Sequence, residues 1–121
     1  MTTIEGIVVA GNRIGRKLGV PTANITLGED AEVADGVYAA WVELEGVRYL
    51  AVANIGRKPT IGSEFQRGAE IHIIGFEGDL YGVHIAVTLG AKVRDERRFE
   101  SLDALREQIQ TDIEIVKNLE Q

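Results

Sequence analysis

Gly36-Val37-Tyr38-Ala39-Ala40-Trp41-Val42-Glu43, Leu44-Glu45-Gly46-Val47 and Arg48-Tyr49-Leu50-Ala51-Val52-Ala53-Asn54-Ile55 follow one another without a break. Two apolar-rich runs flank a short polar segment containing glycine, which reads as two strands and a hairpin turn. The rest of the first hundred residues has the same character. Ile4-Glu5-Gly6-Ile7-Val8-Val9-Ala10 reads as an upstream strand, and Ala69 to Phe76 is expected to pair with Leu80 to Leu89 across Glu77-Gly78-Asp79. Short strands with regular turn signals argue for an antiparallel barrel or sandwich. Strands do not alternate with helices, which disfavours a doubly wound sheet.

The period changes at the C-terminus. Leu102, Leu105, Ile109, Val116 and Leu119, with Ile113 filling the gap, mark the apolar stripe of a helix. Ser101 is placed to cap it, Asp103 suits its first turn and Lys117 its last. The stripe is expected to pack on the strands rather than in a partner's groove.

Residues 1–121 are expected to form a single domain, since 45% hydrophobic and 26% charged residues are globular values. There is no cysteine, which removes disulfides, thiolate nucleophiles and cysteine zinc sites. His72 and His84 are the only histidines, too few for a multi-histidine metal site. No apolar stretch approaches the ~18–20 residues of a membrane span, and no signal-peptide pattern opens the chain. A cytoplasmic protein with no membrane partner is expected. The net charge of −6 and the lack of a basic run interleaved with aromatics disfavour nucleic acid as a partner.

Charge is unevenly spread. Gly6 to Gly28 holds no acid and three bases, so it carries +3 while the remaining residues carry −9. Within it runs Gly11-Asn12-Arg13-Ile14-Gly15-Arg16-Lys17-Leu18-Gly19-Val20-Pro21-Thr22-Ala23-Asn24. Gly11, Gly15 and Gly19 allow backbone amides to approach a ligand closely. Arg13, Arg16 and Lys17 add positive charge, and Thr22 and Asn24 offer neutral oxygens at a spacing that suits one hard cation. An anionic, metal-bearing ligand such as a nucleotide phosphate chain fits this composition. The glycine spacing matches neither GxGxxG nor GxxxxGK[ST], so the segment is not a P-loop.

Strand alternation puts Glu70, His72, Ile74 and Phe76 on one face and Ala69, Ile71, Ile73 and Gly75 on the other. Two readings of Glu70 stay open on pattern alone. It is either a carboxylate turned to solvent at a strand end, or a partly desolvated base that takes a hydroxyl proton. His72 reads as a structural neighbour. Both prolines precede threonine, at Pro21-Thr22 and Pro59-Thr60, and proline fixes the backbone around the following hydroxyl. Arg57 and Lys58 lie in a second acid-free stretch, Asn54 to Ser63, suited to anion capture. Val93-Arg94-Asp95-Glu96-Arg97-Arg98-Phe99 is a charged connection between strands and helix, where a pocket wall is expected.

These segments together resemble riboflavin kinase (flavokinase), also found as the C-terminal module of bifunctional bacterial FAD synthetases. The resemblance is carried by Gly6 through Gly11, Gly15-Arg16-Lys17-Leu18-Gly19-Val20-Pro21-Thr22-Ala23-Asn24, Gly36-Val37-Tyr38, Asn54-Ile55-Gly56-Arg57-Lys58-Pro59-Thr60, Glu70-Ile71-His72-Ile73, Asp79-Leu80-Tyr81-Gly82, Arg94, Glu96, Phe99 and the helix from Ser101. It spans nearly the whole chain. The resemblance implies a mainly β fold, a six-stranded antiparallel Greek-key barrel with a C-terminal α-helix packed on it. It implies transfer of the γ-phosphoryl group of ATP to the terminal ribityl hydroxyl of riboflavin, giving FMN and ADP.

In that reading Gly11, Arg13, Gly15, Arg16, Lys17, Gly19, Pro21, Thr22 and Asn24 bind the nucleotide. Thr22 and Asn24 hold Mg²⁺ or Zn²⁺, Glu70 is the base, and Arg94, Asp95 and Phe99 contact the flavin. Ala10, Val20 and Gly75 depart from residues frequent in the family, and none has a proposed catalytic role. A monomer is expected. Taking Met1 as the natural start, the product is FMN without further adenylylation. The alternatives are a non-catalytic flavin- or nucleotide-binding barrel and a kinase that uses CTP.

Overall fold

The computed structural model describes residues 2–9, 22–27, 31–59, 65–76, 78–97 and 99–119. Six strands, β1 (Thr2–Ile7), β2 (Thr22–Thr26), β3 (Gly36–Leu44), β4 (Val47–Pro59), β5 (Phe65–Ile73) and β6 (His84–Arg94), precede one helix, α1 (Leu102–Leu119). The strands form a single sheet in the order β1-β6-β3-β4-β5-β2, with every pairing antiparallel. Its two outermost strands are brought together where Val9 N–H donates to the Asn24 carbonyl at 2.8 Å. The sheet therefore curls into a barrel, which hides edges that would otherwise pair with other chains.

The central hairpin forms where the sequence places it. Glu45 and Gly46 take φ of 51° and 80°, and two left-handed residues make a turn whose twist matches the flanking strands. The second expected hairpin does not form. β5 pairs with β4 and β2, whereas β6 pairs with β1 and β3. The segment between them crosses the barrel instead, with Gly75, Gly78 and Gly82 at positive φ and Ile74 N–H bonded to the Leu50 carbonyl. Its glycine-rich composition looks like a tight turn, but pairing is settled by which neighbours bury the strand.

Alternation divides each strand between two faces. Ala23 and Ile25, Ala40 and Val42, Ala51, Ala53 and Ile55, Ala69 and Ile71, and Ile85, Val87 and Leu89 fill the barrel interior. The outer face carries α1, which seats Val116 and Ile113 against Val37, Ala39, Val52, Leu50 and Val93. Ser101 caps that helix through its Oγ, which accepts from Ala104 N–H at 3.1 Å. Leu102 and Leu119, expected in the stripe, are exposed, and Asp112 is buried in their stead. Among the described residues no helix is long and apolar enough to cross a membrane.

Candidate functional site

Strand register assembles the site. Asn24 lies opposite Glu70, Glu70 opposite Asn54, Asn54 opposite Val37 and Val37 opposite Arg94. Directly opposed residues share a face. They form one transverse row across β2, β5, β4, β3 and β6, on the side of the sheet that carries α1. Thr22, His72, Val52 and Ala39 make the adjacent row. On the other side of the first row Gly68 and Gly56 face each other and leave the floor without side chains. That hollow is used: a Cβ on Gly56 would collide with the carboxylate of Glu96.

Glu70 sits in the middle of β5, not at its end, and its side chain is 19% exposed. The carboxylate is therefore partly desolvated rather than turned to solvent at a strand end. Its Oε1 is 3.5 Å from Nε2 of the buried His72. His72 packs within the sheet, and its Nδ1 finds no hydrogen-bond partner among the described residues. Thr22 and Asn24, two residues apart on β2, point to the same side as Glu70 and are half-buried. These neutral oxygens beside a carboxylate fit a hard divalent cation that keeps most of its ligands from phosphate and water. No cluster of three acidic or histidine ligands exists among the described residues.

Arg94 ends the row. Its Nε and Nη2 donate to both carboxylate oxygens of Asp112 at 2.9 and 2.8 Å, and Nη1 donates to the Asp95 carbonyl at 3.0 Å. Gln108 Nε2 adds a third bond to Asp112 at 2.9 Å. The guanidinium thus ties β6 to α1. Asp95 is exposed, and a hydrogen bond and charge from Lys92, with Nζ 2.6 Å from Oδ1, hold its carboxyl below the usual range. Phe99 is half-buried, with the guanidinium groups of Arg97 and Arg94 at 4.8 and 5.8 Å from its ring centre.

The structure therefore brings Thr22, Asn24 and Glu70 side by side, and sets Arg94, Asp95 and Phe99 at the far end of the same face. Gly11, Arg13, Gly15, Arg16, Lys17, Gly19 and Pro21 lie outside the described residues, as does Thr60. Two features were missed from sequence. Asn54 stands next to Glu70, and its Oδ1 is buried with no partner among the described residues. Ile7, Val9, Tyr81 and Val83 are exposed apolar side chains, and Val9 bridges to Asn24 of β2. The segments that hold Ile7 and Val9, Asn54 and Tyr81 all carried the resemblance, but none of these side chains was assigned a role.

Chemically, the face offers oxygen ligands beside the Glu70 carboxylate, a second carboxylate, Glu96, over Gly56, and a row that passes under α1 at Val37 and ends at Arg94, about 14 Å or three strand spacings along the sheet. Comparison with known proteins gives the family. The chain is 44% identical over 119 residues to an RNA-binding riboflavin kinase of Bacillus subtilis, covering 96% of this chain and 50% of that protein. It is 46% identical over 110 residues to a bifunctional riboflavin kinase/FMN adenylyltransferase of Escherichia coli, covering 90% of this chain and 35% of that one. The chain thus spans half or less of the length of these curated relatives.

Among solved structures, a Streptococcus pneumoniae chain described as a macrolide-efflux protein superposes with a TM-score of 0.83 at 36% identity, over 96% of this chain and 38% of that one. Riboflavin kinase from Trypanosoma brucei superposes with a TM-score of 0.64 at 24% identity, over 97% and 78%, and shares the fold. The family model for flavokinase, riboflavin kinase, matches residues 1–120. With that match spanning the strands that build the polar row and the helix that walls it, the chain belongs to the riboflavin kinase family.

Proposed function

We propose that the chain transfers the γ-phosphoryl group of ATP to the terminal ribityl hydroxyl of riboflavin, giving FMN and ADP. The observation that carries this reading is the register of β2 on β5, which sets Asn24 directly beside Glu70. Phosphoryl transfer needs a charge-neutralising site and an acceptor-activating group within one reaction distance, and these two strands supply both. The terminal hydroxyl oxygen bonds to the γ-phosphorus, the bond to the β-phosphate oxygen breaks, and the hydroxyl proton passes to Glu70. Thr22 and Asn24 would hold a divalent cation, Mg²⁺ or Zn²⁺, which supplies neutralisation of phosphate charge when bound.

The remaining assignments follow this division. Gly11, Gly15 and Gly19 let the loop amides reach the phosphates, Arg13, Arg16 and Lys17 add charge there, and Pro21 fixes the approach to Thr22. The exposed side chains of Ile7 and Val9, beside the bridge to Asn24, offer an apolar surface on which a nucleobase can lie. The flavin ring occupies the far end, against Asp95, Phe99 and the stem of Arg94, whose guanidinium holds that wall in place. Small-molecule substrates, a monomeric state and the cytoplasm complete the reading. RNA binding is part of the name of the Bacillus subtilis relative, of which this chain covers half. The acidic balance here favours no such partner.

Incubation with riboflavin and each nucleoside triphosphate in turn, with Mg²⁺ or Zn²⁺, tests the reaction by chromatography of the products. FMN and ADP from ATP are the expected pair. Binding of flavin and nucleotide with no FMN from any donor would refute the kinase and leave a non-catalytic binding barrel.

A further inference from the structure

We propose that His72 is a positioning residue for the base: the N–H at its Nε2 holds Oε1 of Glu70 and leaves Oε2 to take the hydroxyl proton. This deepens the proposed reaction and rests on it for the role of Glu70. His72 is a buried ionisable side chain that the proposed proton transfer does not use. It stands two residues from Glu70 on the same face of β5, between Thr22 of β2 and Val52 of β4. Val52 is itself buried beneath α1. Packed between two strands, the imidazole has little freedom to turn, which is what a group that orients another requires.

The surroundings decide which nitrogen carries the proton. A neutral imidazole has one donor and one acceptor. Nε2 lies 3.5 Å from Glu70 Oε1, while Nδ1 is buried with no partner among the described residues. A proton on Nδ1 would strand a buried donor and turn the Nε2 lone pair toward a carboxylate. A proton on Nε2 strands only an acceptor and offers the carboxylate an N–H. Closing that gap to the ~2.7–2.9 Å of a charge-assisted bond takes a shift of less than about 1 Å. The last torsion of a glutamate is broad, so strand register fixes where Glu70 stands but not how its carboxylate is turned. The imidazole supplies that second constraint. An apolar residue would fill the slot between Thr22 and Val52 without desolvating two nitrogens, so packing alone gives no reason for histidine there.

Turnover, binding and imidazole NMR test the assignment. His72→Leu removes the donor and is expected to lower kcat by about 10- to 100-fold, the scale of a hydrogen bond to a charged group. Kd for riboflavin and for Mg-ATP, from calorimetry, should stay at the wild-type values. His72→Gln, whose amide places an N–H near the position of Nε2, should recover most of the loss. In a Glu70→Gln background His72→Leu should cost no further turnover, since the carboxylate it orients is gone. A kcat within about twofold of wild type in His72→Leu, equal losses in His72→Leu and His72→Gln, or losses that multiply with Glu70→Gln would overturn the proposal. Long-range ¹H–¹⁵N spectra of the wild type, with His84→Gln for assignment, should show Nε2 protonated and Nδ1 bare. A proton on Nδ1 alone would refute the contact, and this measurement stands even where His72→Leu does not fold. If wild type makes no FMN, the kinase reading fails by itself, and the spectra still decide whether His72 holds Glu70.

Discussion

Arg94→Met isolates the tie between barrel and helix. Asp112 lies on α1 with its side chain 5% exposed and takes two bonds from a guanidinium that is 19% exposed. Methionine keeps the length and the apolar stem but removes both donors, so the carboxylate is left with Gln108 alone among the described side chains. Stranding one member of a buried ion pair costs about 3–5 kcal/mol, against a total stability of about 5–15 kcal/mol for a domain. At ~2.1 cal/mol/K per residue, the unfolding entropy of this chain is about 0.25 kcal/mol/K, so the melting temperature should fall by about 12–20 °C. Asp112→Asn should cost less, because Arg94 retains some access to water and asparagine retains an acceptor. Arg94→Lys should fall between, since an ammonium cannot make the two-pronged contact. Thermal and urea unfolding followed by circular dichroism measure all three. An Arg94→Met protein melting within about 3 °C of wild type would show that the pair is neutral and that α1 is held by Val116 and Ile113 alone.

Three further outcomes are expected. Glu70→Gln should bind nucleotide normally in calorimetry and lose turnover by about 10²–10⁴-fold, the usual contribution of a general base; wild-type turnover would remove Glu70 from the mechanism. Asn24→Ala should weaken the affinity for metal-nucleotide while leaving flavin binding unchanged, and an unaltered titration with Mg-ATP would end the metal-ligand assignment. Gly90→Ala should destabilise by about 1–3 kcal/mol, because the new Cβ would lie 2.7 and 2.9 Å from the Trp41 ring. An altered Trp41 fluorescence should accompany it, and an unchanged melting temperature would mean that the ring moves freely.

The parts of this molecule that were legible in sequence are those decided by local chemistry. Glu45-Gly46 turns because two consecutive residues tolerate left-handed backbone, and Ser101 caps because its hydroxyl meets an unpaired amide three residues on. The division of β5 into Ala69, Ile71 and Ile73 inward against Glu70 and His72 outward needed only the period of a strand. Pairing between distant strands was not local, so a glycine-rich crossover was read as a hairpin. The burial of Asp112 was not anticipated, although Ile109 and Val116 flank it at helical spacing, which places it on the buried face. A carboxylate there calls for a cation, and Arg94 was the available one. Asn54 lies in a stretch that carries the resemblance, but nothing local marks it as a buried neighbour of Glu70. Only the packing around it reveals that.

The core and the site are specified by the same register. Each polar residue of the row is held between two inward-facing apolar residues on its own strand: Asn24 between Ala23 and Ile25, Glu70 between Ala69 and Ile71, Asn54 between Ala53 and Ile55. A slip of one residue on any strand would turn its polar side chain into the barrel and its apolar neighbours out, at the cost of desolvating an amide or a carboxylate. The interior thus penalises every arrangement in which these side chains fail to line up. Positioning across β2, β5 and β4 needs no dedicated contact among the three, because alanine and isoleucine packing on the far side of the sheet enforces it. The far wall lacks this constraint: β6 shifts register against β3 between Leu89 and Arg94. There the bidentate Arg94–Asp112 pair takes over the task that packing performs elsewhere, which is why its loss should reach beyond the helix to the far end of the face, where the flavin is proposed to lie.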